Sequence, residues 1–135
     1  MLLLNQPKST NMKKTSFQDL DIYQSSMDLF LKIHPTTLAL PKFEMYELGS
    51  QLRRSADGVV SNIVEGYGRK RYKAEFIRYL IFSHSGCLET QNHIEKLLTL
   101  YPDKRAIFKS LLDQYISLGI KIYNFITYVE KNWKV

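Results

Sequence analysis

From Gln51 to Arg69 the chain reads QLRRSADGVVSNIVEGYGR, and this stretch says more about the fold than any other. Its apolar residues recur every three or four positions, the spacing of one face of an α-helix. The pattern predicts that a helix turns one apolar stripe toward a protein core. The stripe consists of Leu48, Leu52, Ala56, Val59 and Ile63.

A second face of the same helix is polar and ends at two glycines. Its residues are Gln51, Arg54, Gly58, Ser61, Asn62 and Glu65. A solvated helix surface would explain them, but Glu65 lies in the last turn, where the helix dipole disfavours a carboxylate. We therefore expect a cationic partner for Glu65, such as Arg54 or an arginine of a neighbouring subunit. Gly66 and Gly68 are expected to end the helix in left-handed conformations.

Three further segments show helical spacing. Ser16 and Asp19 form a capping-box pattern that predicts the start of the first helix. This helix is expected to end or kink near His34, because Pro35 follows, with a looser extension to Pro41. The helix with the polar face then begins between Pro41 and Glu44. The third helix is traced by Phe76, Leu80, Ser83, Cys87, Gln91, Ile94 and Leu98, and the fourth by Ile107, Leu111, Tyr115, Leu118, Ile122, Phe125 and Val129.

These segments predict an all-α fold, an antiparallel up-down-up-down four-helix bundle over residues 16–135. The chain has 135 residues, enough for one hydrophobic core, so one domain is expected. Residues 1–15 lack apolar periodicity and are expected to form a disordered tail. Translation could start at Met1 or at Met12, and the sequence leaves that choice open.

Charge and cysteine content narrow the class of protein. The net charge is +6, but three lysines lie in the first 15 residues, which leaves a mildly basic body of +3. Cys87 is the only cysteine, so an intramolecular disulfide is impossible, as suits a reducing compartment. We also see neither a signal-peptide core nor a membrane span, and expect a soluble, cytoplasmic protein without a membrane partner.

The Gln51–Arg69 stretch resembles the signature of the 23S rRNA intervening-sequence proteins, also called the four-helix-bundle protein family. The matching residues are Arg53, Arg54, Asn62, Ile63, Glu65, Gly66, Gly68 and Arg69. Glu89 and the segments 17–23 and 75–80 also match, so the likeness covers nearly all of the chain after Ser16. One position departs from the pattern: the family's serine is Gly58 here.

That resemblance has implications for assembly and partners. Proteins of the family, and the similar accessory variability determinant proteins of diversity-generating retroelements, form homopentameric barrels, and the family's genes lie within rRNA intervening sequences. The fourth helix independently favours an oligomer, because it carries apolar residues outside its main stripe. These are Leu112, Ile116, Ile120, Tyr123, Ile126 and Tyr128.

Enzymatic and metal sites find little support in the sequence. None of the three histidines follows a glutamate at the spacing that di-iron bundles use. Cys87 lies on the apolar stripe of its helix, and His84 on that helix is its only nearby base, so a buried structural cysteine is expected. Glu89 and His93, one turn apart, are expected to share a hydrogen bond rather than a metal. We therefore predict no catalytic residue, metal or cofactor.

A basic turn follows the polar helix and is the strongest candidate binding site. It contains Arg69, Lys70, Arg71 and Lys73, with Tyr67 and Tyr72 beside them to stack on bases. An ordinary solvated turn is the competing interpretation. The favoured function is a non-enzymatic, homo-oligomeric, nucleic-acid-binding bundle, with RNA as its expected ligand class or with an adaptor role toward a protein partner. The alternative is a protein-interaction scaffold without nucleic-acid contact.

Overall fold

A computed structural model describes residues 16–134 and confirms an all-α antiparallel four-helix bundle in this part of the chain. Four long helices and one short helix make up the bundle. They are α1 (Asp21–Leu38), α2 (Lys42–Tyr46), α3 (Leu48–Gly68), α4 (Lys73–Leu100) and α5 (Arg105–Asn132). The prediction of a disordered tail over residues 1–15 lies outside the described residues.

The four long helices are arranged as a closed ring around one core. Helix α3 packs between α1 and α4, and α5 completes the ring by packing against α4 and α1. The core-facing stripe predicted for the polar helix is buried, with Leu52, Ala56, Val59 and Ile63 all at 0% exposure. Tyr115 and Phe76 are the largest side chains that meet them in the core. Periodicity therefore identified most of the core, but Ile107, predicted on the stripe of the fourth helix, is 55% exposed.

Of the two outcomes predicted at Pro35, an end or a kink of the first helix, the end does not occur. Helix α1 continues through Pro35 to Leu38. A proline inside a helix removes one backbone donor, here the one that would bond the Leu31 carbonyl. The two threonines that follow Pro35 add side-chain hydrogen bonds to the next two carbonyls. The Thr36 hydroxyl donates to the Lys32 carbonyl at 2.7 Å, and the Thr37 hydroxyl donates to the Ile33 carbonyl at 3.0 Å.

The predicted second helix is divided at Glu47 into α2 and α3. Arg53 holds this break together: its Nη1 donates to Thr37 Oγ1 at 2.9 Å and its Nη2 donates to the Met45 carbonyl at 3.0 Å. Glu44 is also buried and accepts a 2.8 Å hydrogen bond from the Tyr101 hydroxyl. The guanidinium of Arg53, a residue of the family pattern, therefore lies at the α1–α2 junction, where it joins α3 to both of these helices.

The two glycines at the end of α3 were expected in left-handed conformations, and that expectation is wrong. No residue within 16–134 has a positive φ. Gly66 is instead buried and helical, and an added Cβ would lie 3.2 Å from the Phe76 carbonyl oxygen and 3.2 Å from Tyr79 Cβ. Helix α3 needs glycine at this position because α4 approaches its backbone closely.

Adding a side chain at Gly58 and adding one at Gly66 should have opposite effects on the free energy of unfolding. Gly58→Ala should stabilise the protein by about 1 kcal/mol, because alanine favours helix and the site has no heavy atom within 4 Å of an added Cβ. Gly66→Leu should destabilise by about 2 kcal/mol or more, since the side chain would force α3 from α4. Urea unfolding of both variants measures the two free energies. Similar changes for both would contradict the proposed close contact.

Candidate nucleic-acid interface

The basic turn joins α3 to α4 at one end of the bundle. A backbone hydrogen bond from Tyr72 N to the Arg69 carbonyl, 2.9 Å long, closes the turn. Trp133, the residue directly after α5, supports the turn from the side, because its Nε1 donates to the Lys70 carbonyl at 3.3 Å. The turn is therefore fixed at both of its edges, and its side chains project from a rigid support.

Arg69 is held by two carboxylates. Its Nε lies 3.6 Å from Glu65 and its Nη1 lies 3.7 Å from Glu75. The cationic partner expected for Glu65 is thus the arginine one helical turn later, not Arg54. Since both carboxylates neutralise Arg69, this residue orders the turn more than it offers charge to a ligand.

Glu65 is more than half exposed, which limits its contribution to stability. Its side chain is 57% exposed, so the ion pair with Arg69 is well solvated. We expect Glu65→Gln to change the free energy of unfolding by less than about 0.5 kcal/mol. Glu44→Gln is the matched control, since Glu44 is buried and should cost about 1 to 3 kcal/mol. A Glu65 effect as large as that of Glu44 in urea unfolding would contradict this assignment.

The two tyrosines beside the turn differ in accessibility. Lys70 Nζ lies 4.0 Å from the centre of the Tyr67 ring, which is half-buried and packs edge-on against Phe76. Tyr72, in contrast, is 65% exposed. Tyr72 is therefore the ring of this pair that has an open surface for stacking, while Tyr67 supports Lys70.

A strip of aromatic and basic residues extends from the turn onto α4, and the sequence did not predict it. The Arg69 guanidinium lies 4.8 Å from the centre of the Tyr79 ring, and Arg78 lies 5.4 Å from that of Phe82. Tyr79 and Phe82 contact each other edge to face, with 5.5 Å between ring centres. These four residues, Arg69, Arg78, Tyr79 and Phe82, are called the cation–aromatic strip below.

The charge balance around the turn favours anions. Residues 65–78 contain five basic and two acidic side chains, a net charge of +3. Arg71 and Lys73 form no ion pair within residues 16–134. Both are therefore left to interact with solvent or with a ligand, and phosphate oxygens are suitable acceptors for such cations.

The polar residues of the family motif are only partly brought together. Gln51, Arg54 and Asn62 of α3 line a groove of about 570 Å³ with Glu89 of α4, and Phe82 lies at the same groove. We call it the α3–α4 groove. Ser61 and Glu65 are exposed outside its lining, while Arg53 and Gly66 are occupied in structural contacts elsewhere.

Cys87 and His93 are buried on α4. The Cys87 thiol donates to the Tyr115 carbonyl at 3.2 Å, and burial raises its pKa from the ordinary 9.0 to about 11, while a hydrogen bond from Gln91 lowers it. His93 Nε2 lies 3.4 Å from Glu89, the predicted contact between residues one turn apart. Within residues 16–134, no three histidine, cysteine or acidic side chains lie close enough together to hold a metal.

Burial of the Cys87 thiol predicts a loss of stability at alkaline pH. The pKa of the thiol is near 9.0 in the unfolded chain and about 11 in the folded protein. Its contribution to the free energy of unfolding is therefore fully present below pH 9 and is lost as the pH rises toward 11. We expect the free energy of unfolding to fall by on the order of 1 kcal/mol between pH 8 and pH 10 from this group. Urea unfolding at both values measures it. In Cys87→Ala the fall should be smaller by that amount, and an equal fall would contradict the assignment.

The fold and this surface define an all-helical bundle with a basic, aromatic-flanked turn at one end. A family model described as 23S rRNA-intervening sequence protein matches residues 18–124. The chain therefore belongs to the 23S rRNA-intervening sequence protein family, which is not a known enzyme family. No curated protein matches the chain. Among residues 16–134, no helix is both long and apolar enough to cross a membrane.

Proposed function

We propose that the chain is a non-enzymatic, homo-oligomeric RNA-binding protein that contacts RNA through its basic turn. The observation that carries the proposal is the grouping of cations with aromatic rings at that turn. Three such pairs lie at the turn and on the adjoining part of α4: Lys70 with Tyr67, Arg69 with Tyr79, and Arg78 with Phe82. Because carboxylates pair with Arg69 and Arg78, the cations offered to phosphate are those of Lys70, Arg71 and Lys73, which form no ion pair within residues 16–134. Basic side chains that bind phosphates beside rings that stack on bases are typical of single-strand binding surfaces.

Self-association is supported by an exposed apolar surface on α4 and α5. Of the six surplus apolar residues predicted on the last helix, Leu112 and Ile126 are buried in the core, and the other four are exposed. Three of those four, Ile116, Ile120 and Tyr123, lie about one helical turn apart along α5. We define the α4–α5 apolar face as Ile81, Leu88, Ile116, Ile120 and Tyr123, which are 44% to 61% exposed.

The residues of this face lie near one another and are not isolated apolar side chains. The half-buried His84 of α4 and the exposed Tyr123 of α5 have ring centres 6.1 Å apart. Ile81 and Leu88 lie within one helical turn of His84 on α4, so this spacing places them near the exposed residues of α5. A contiguous apolar patch in water favours burial against another protein surface. The resemblance to homopentameric proteins leads us to propose a pentamer, in which five copies of the basic turn would bind one RNA together with increased avidity.

The second candidate function is a scaffold that binds only proteins, or an adaptor that joins RNA to a protein partner. The observation in its favour is the same α4–α5 apolar face, because a different protein could cover it as well as another copy could. An acidic partner could then contact the basic turn. RNA binding by the purified protein alone distinguishes these functions.

Fluorescence anisotropy with labelled single-stranded RNA, in the absence of any other protein, tests the proposal. We expect binding that weakens steeply with salt, because phosphate contacts release counterions. The same measurement with duplex RNA should show weaker binding, since paired bases cannot stack on exposed rings. Absence of salt-dependent binding would reject RNA binding and favour the protein scaffold.

A further inference from the structure

The α3–α4 groove contains side chains that recognise a base better than a phosphate. Arg54 and Glu89 line the same groove, together with the amides of Gln51 and Asn62. We propose that the groove binds one unpaired guanine base of an RNA strand held at the basic turn. This inference rests on the proposed function and names the kind of base that the RNA-binding protein would recognise.

The two opposite charges in the groove, on Arg54 and Glu89, do not form an ion pair with each other. Within residues 16–134, Arg54 makes no ion pair, and Glu89 has an ion-pair contact only with His93, at 3.4 Å. A carboxylate repels phosphate, so a strand would place a base here and keep its backbone outside. The pair therefore suits a ligand that has both hydrogen-bond donors and acceptors on its edges.

Guanine is the base whose edges match these two groups. Its O6 and N7 are adjacent acceptors that an arginine contacts with two hydrogen bonds, as in specific recognition of DNA. Its N1–H and N2 amino group are adjacent donors that a carboxylate accepts together. Adenine and uracil have neither adjacent set, and cytosine has adjacent acceptors but no adjacent donor groups. Arg54 would thus contact one edge of the ring and Glu89 the other.

The groove also has room for a flat ring, since its volume is about 570 Å³. Its lining includes Gly58, Ser85 and Gly86, so little side chain covers the backbone there. At Gly58 an added Cβ would have no heavy atom within 4 Å, and this is the position where the family pattern has serine. Phe82 adds an aromatic surface that is 41% exposed, against which a base could stack.

Phe82 also connects the groove to the basic turn. It belongs to the cation–aromatic strip, where it contacts Tyr79, and Tyr79 in turn lies beside Arg69. A strand bound at the turn can therefore follow the strip along α4 and reach the groove with a neighbouring nucleotide. The amide of Asn62 donates to the Gly58 carbonyl at 2.9 Å, which leaves its oxygen as one more acceptor near the base.

A set of oligouridine strands that differ at one central position tests the proposal. The position carries guanine, adenine, inosine, which lacks the N2 amino group, or 7-deazaguanine, which lacks the N7 acceptor. We expect guanine to bind about tenfold more tightly than adenine, the discrimination of one good bidentate contact, with both analogues in between. Fluorescence anisotropy at one fixed salt concentration measures the four affinities.

Variants assign the preference to the groove. Arg54→Gln and Glu89→Gln should each remove the preference for guanine and keep the affinity for plain oligouridine. Glu95→Gln is the matched control, because Glu95 is exposed on the same helix and does not line the groove. It should keep both the affinity and the preference. Circular dichroism checks that all three variants remain folded.

The outcomes separate this inference from the proposed function. Salt-dependent binding of oligouridine without any preference for guanine would overturn the guanine site and leave RNA binding intact, and the groove would then be free to take a protein segment. A preference that survives both Arg54→Gln and Glu89→Gln would also overturn it. If no RNA bound to the unaltered protein, both proposals would fail together.

Discussion

Replacing Lys70, Arg71 and Lys73 together with glutamate should weaken binding of single-stranded RNA at least a hundredfold. Each replacement removes a cation that can contact phosphate and introduces a like charge, so affinity and the number of released counterions both fall. Arg69 is left unchanged because Glu65 and Glu75 hold it in the turn. Anisotropy titrations at several salt concentrations measure the loss and the flatter salt dependence.

The opposite end of the bundle provides a control with the same change in net charge. Lys42, Lys96 and Arg105 are exposed and lie near the joins between α1 and α3 and between α4 and α5. Replacing these three with glutamate should weaken binding far less, because screening in salt limits the effect of distant charges. Equal losses in the two triple variants would mean that net charge, rather than the turn, determines binding.

Helical periodicity predicted the bundle and most of its core, and it failed where the chain departs from regular helix. Leu52, Val59 and Ile63 recur at helical spacing and are buried as expected. The break at Glu47 depends on Arg53, whose hydrogen bonds to Thr37 and Met45 join segments that are separate in sequence. No local pattern specifies such contacts, because they form only after the helices are packed.

Gly66 shows how a correct observation can lead to a wrong interpretation. A glycine near the end of a helical pattern usually ends the helix in a left-handed conformation. Here the same residue permits a close approach between α3 and α4, with the Phe76 carbonyl 3.2 Å from the position of a Cβ. Sequence alone does not distinguish these uses, since both require only the absence of a side chain.

The candidate site was predictable where its residues are consecutive and was missed where they are not. The basic turn could be identified because Arg69, Lys70 and Arg71 are neighbours in the chain. The cation–aromatic strip depends on how the turn packs against α4, which places the Arg69 guanidinium 4.8 Å from the centre of the Tyr79 ring. One signal was present: Arg78 and Phe82 are four residues apart on the exposed side of the third predicted helix.

The double variant Leu88→Glu with Ile120→Glu should convert the proposed oligomer to monomers. Both residues belong to the α4–α5 apolar face and are 52% and 59% exposed, so the bundle itself should tolerate the change. Burying each side chain between subunits contributes about 1.5 kcal/mol or more, which makes the dissociation constant at least a hundredfold larger when both are lost. Light scattering coupled to size-exclusion chromatography measures the mass.

Leu100→Glu serves as the matched control, since Leu100 is 58% exposed but lies at the far end of α4, outside the face. It should keep the oligomer. The monomeric double variant should also bind RNA more weakly than the unaltered protein, although its basic turn is intact, because a single turn lacks the avidity of several. A monomeric mass for the unaltered protein at micromolar concentration would refute self-association and this avidity effect. An oligomer that persists in the double variant would show that another surface joins the subunits.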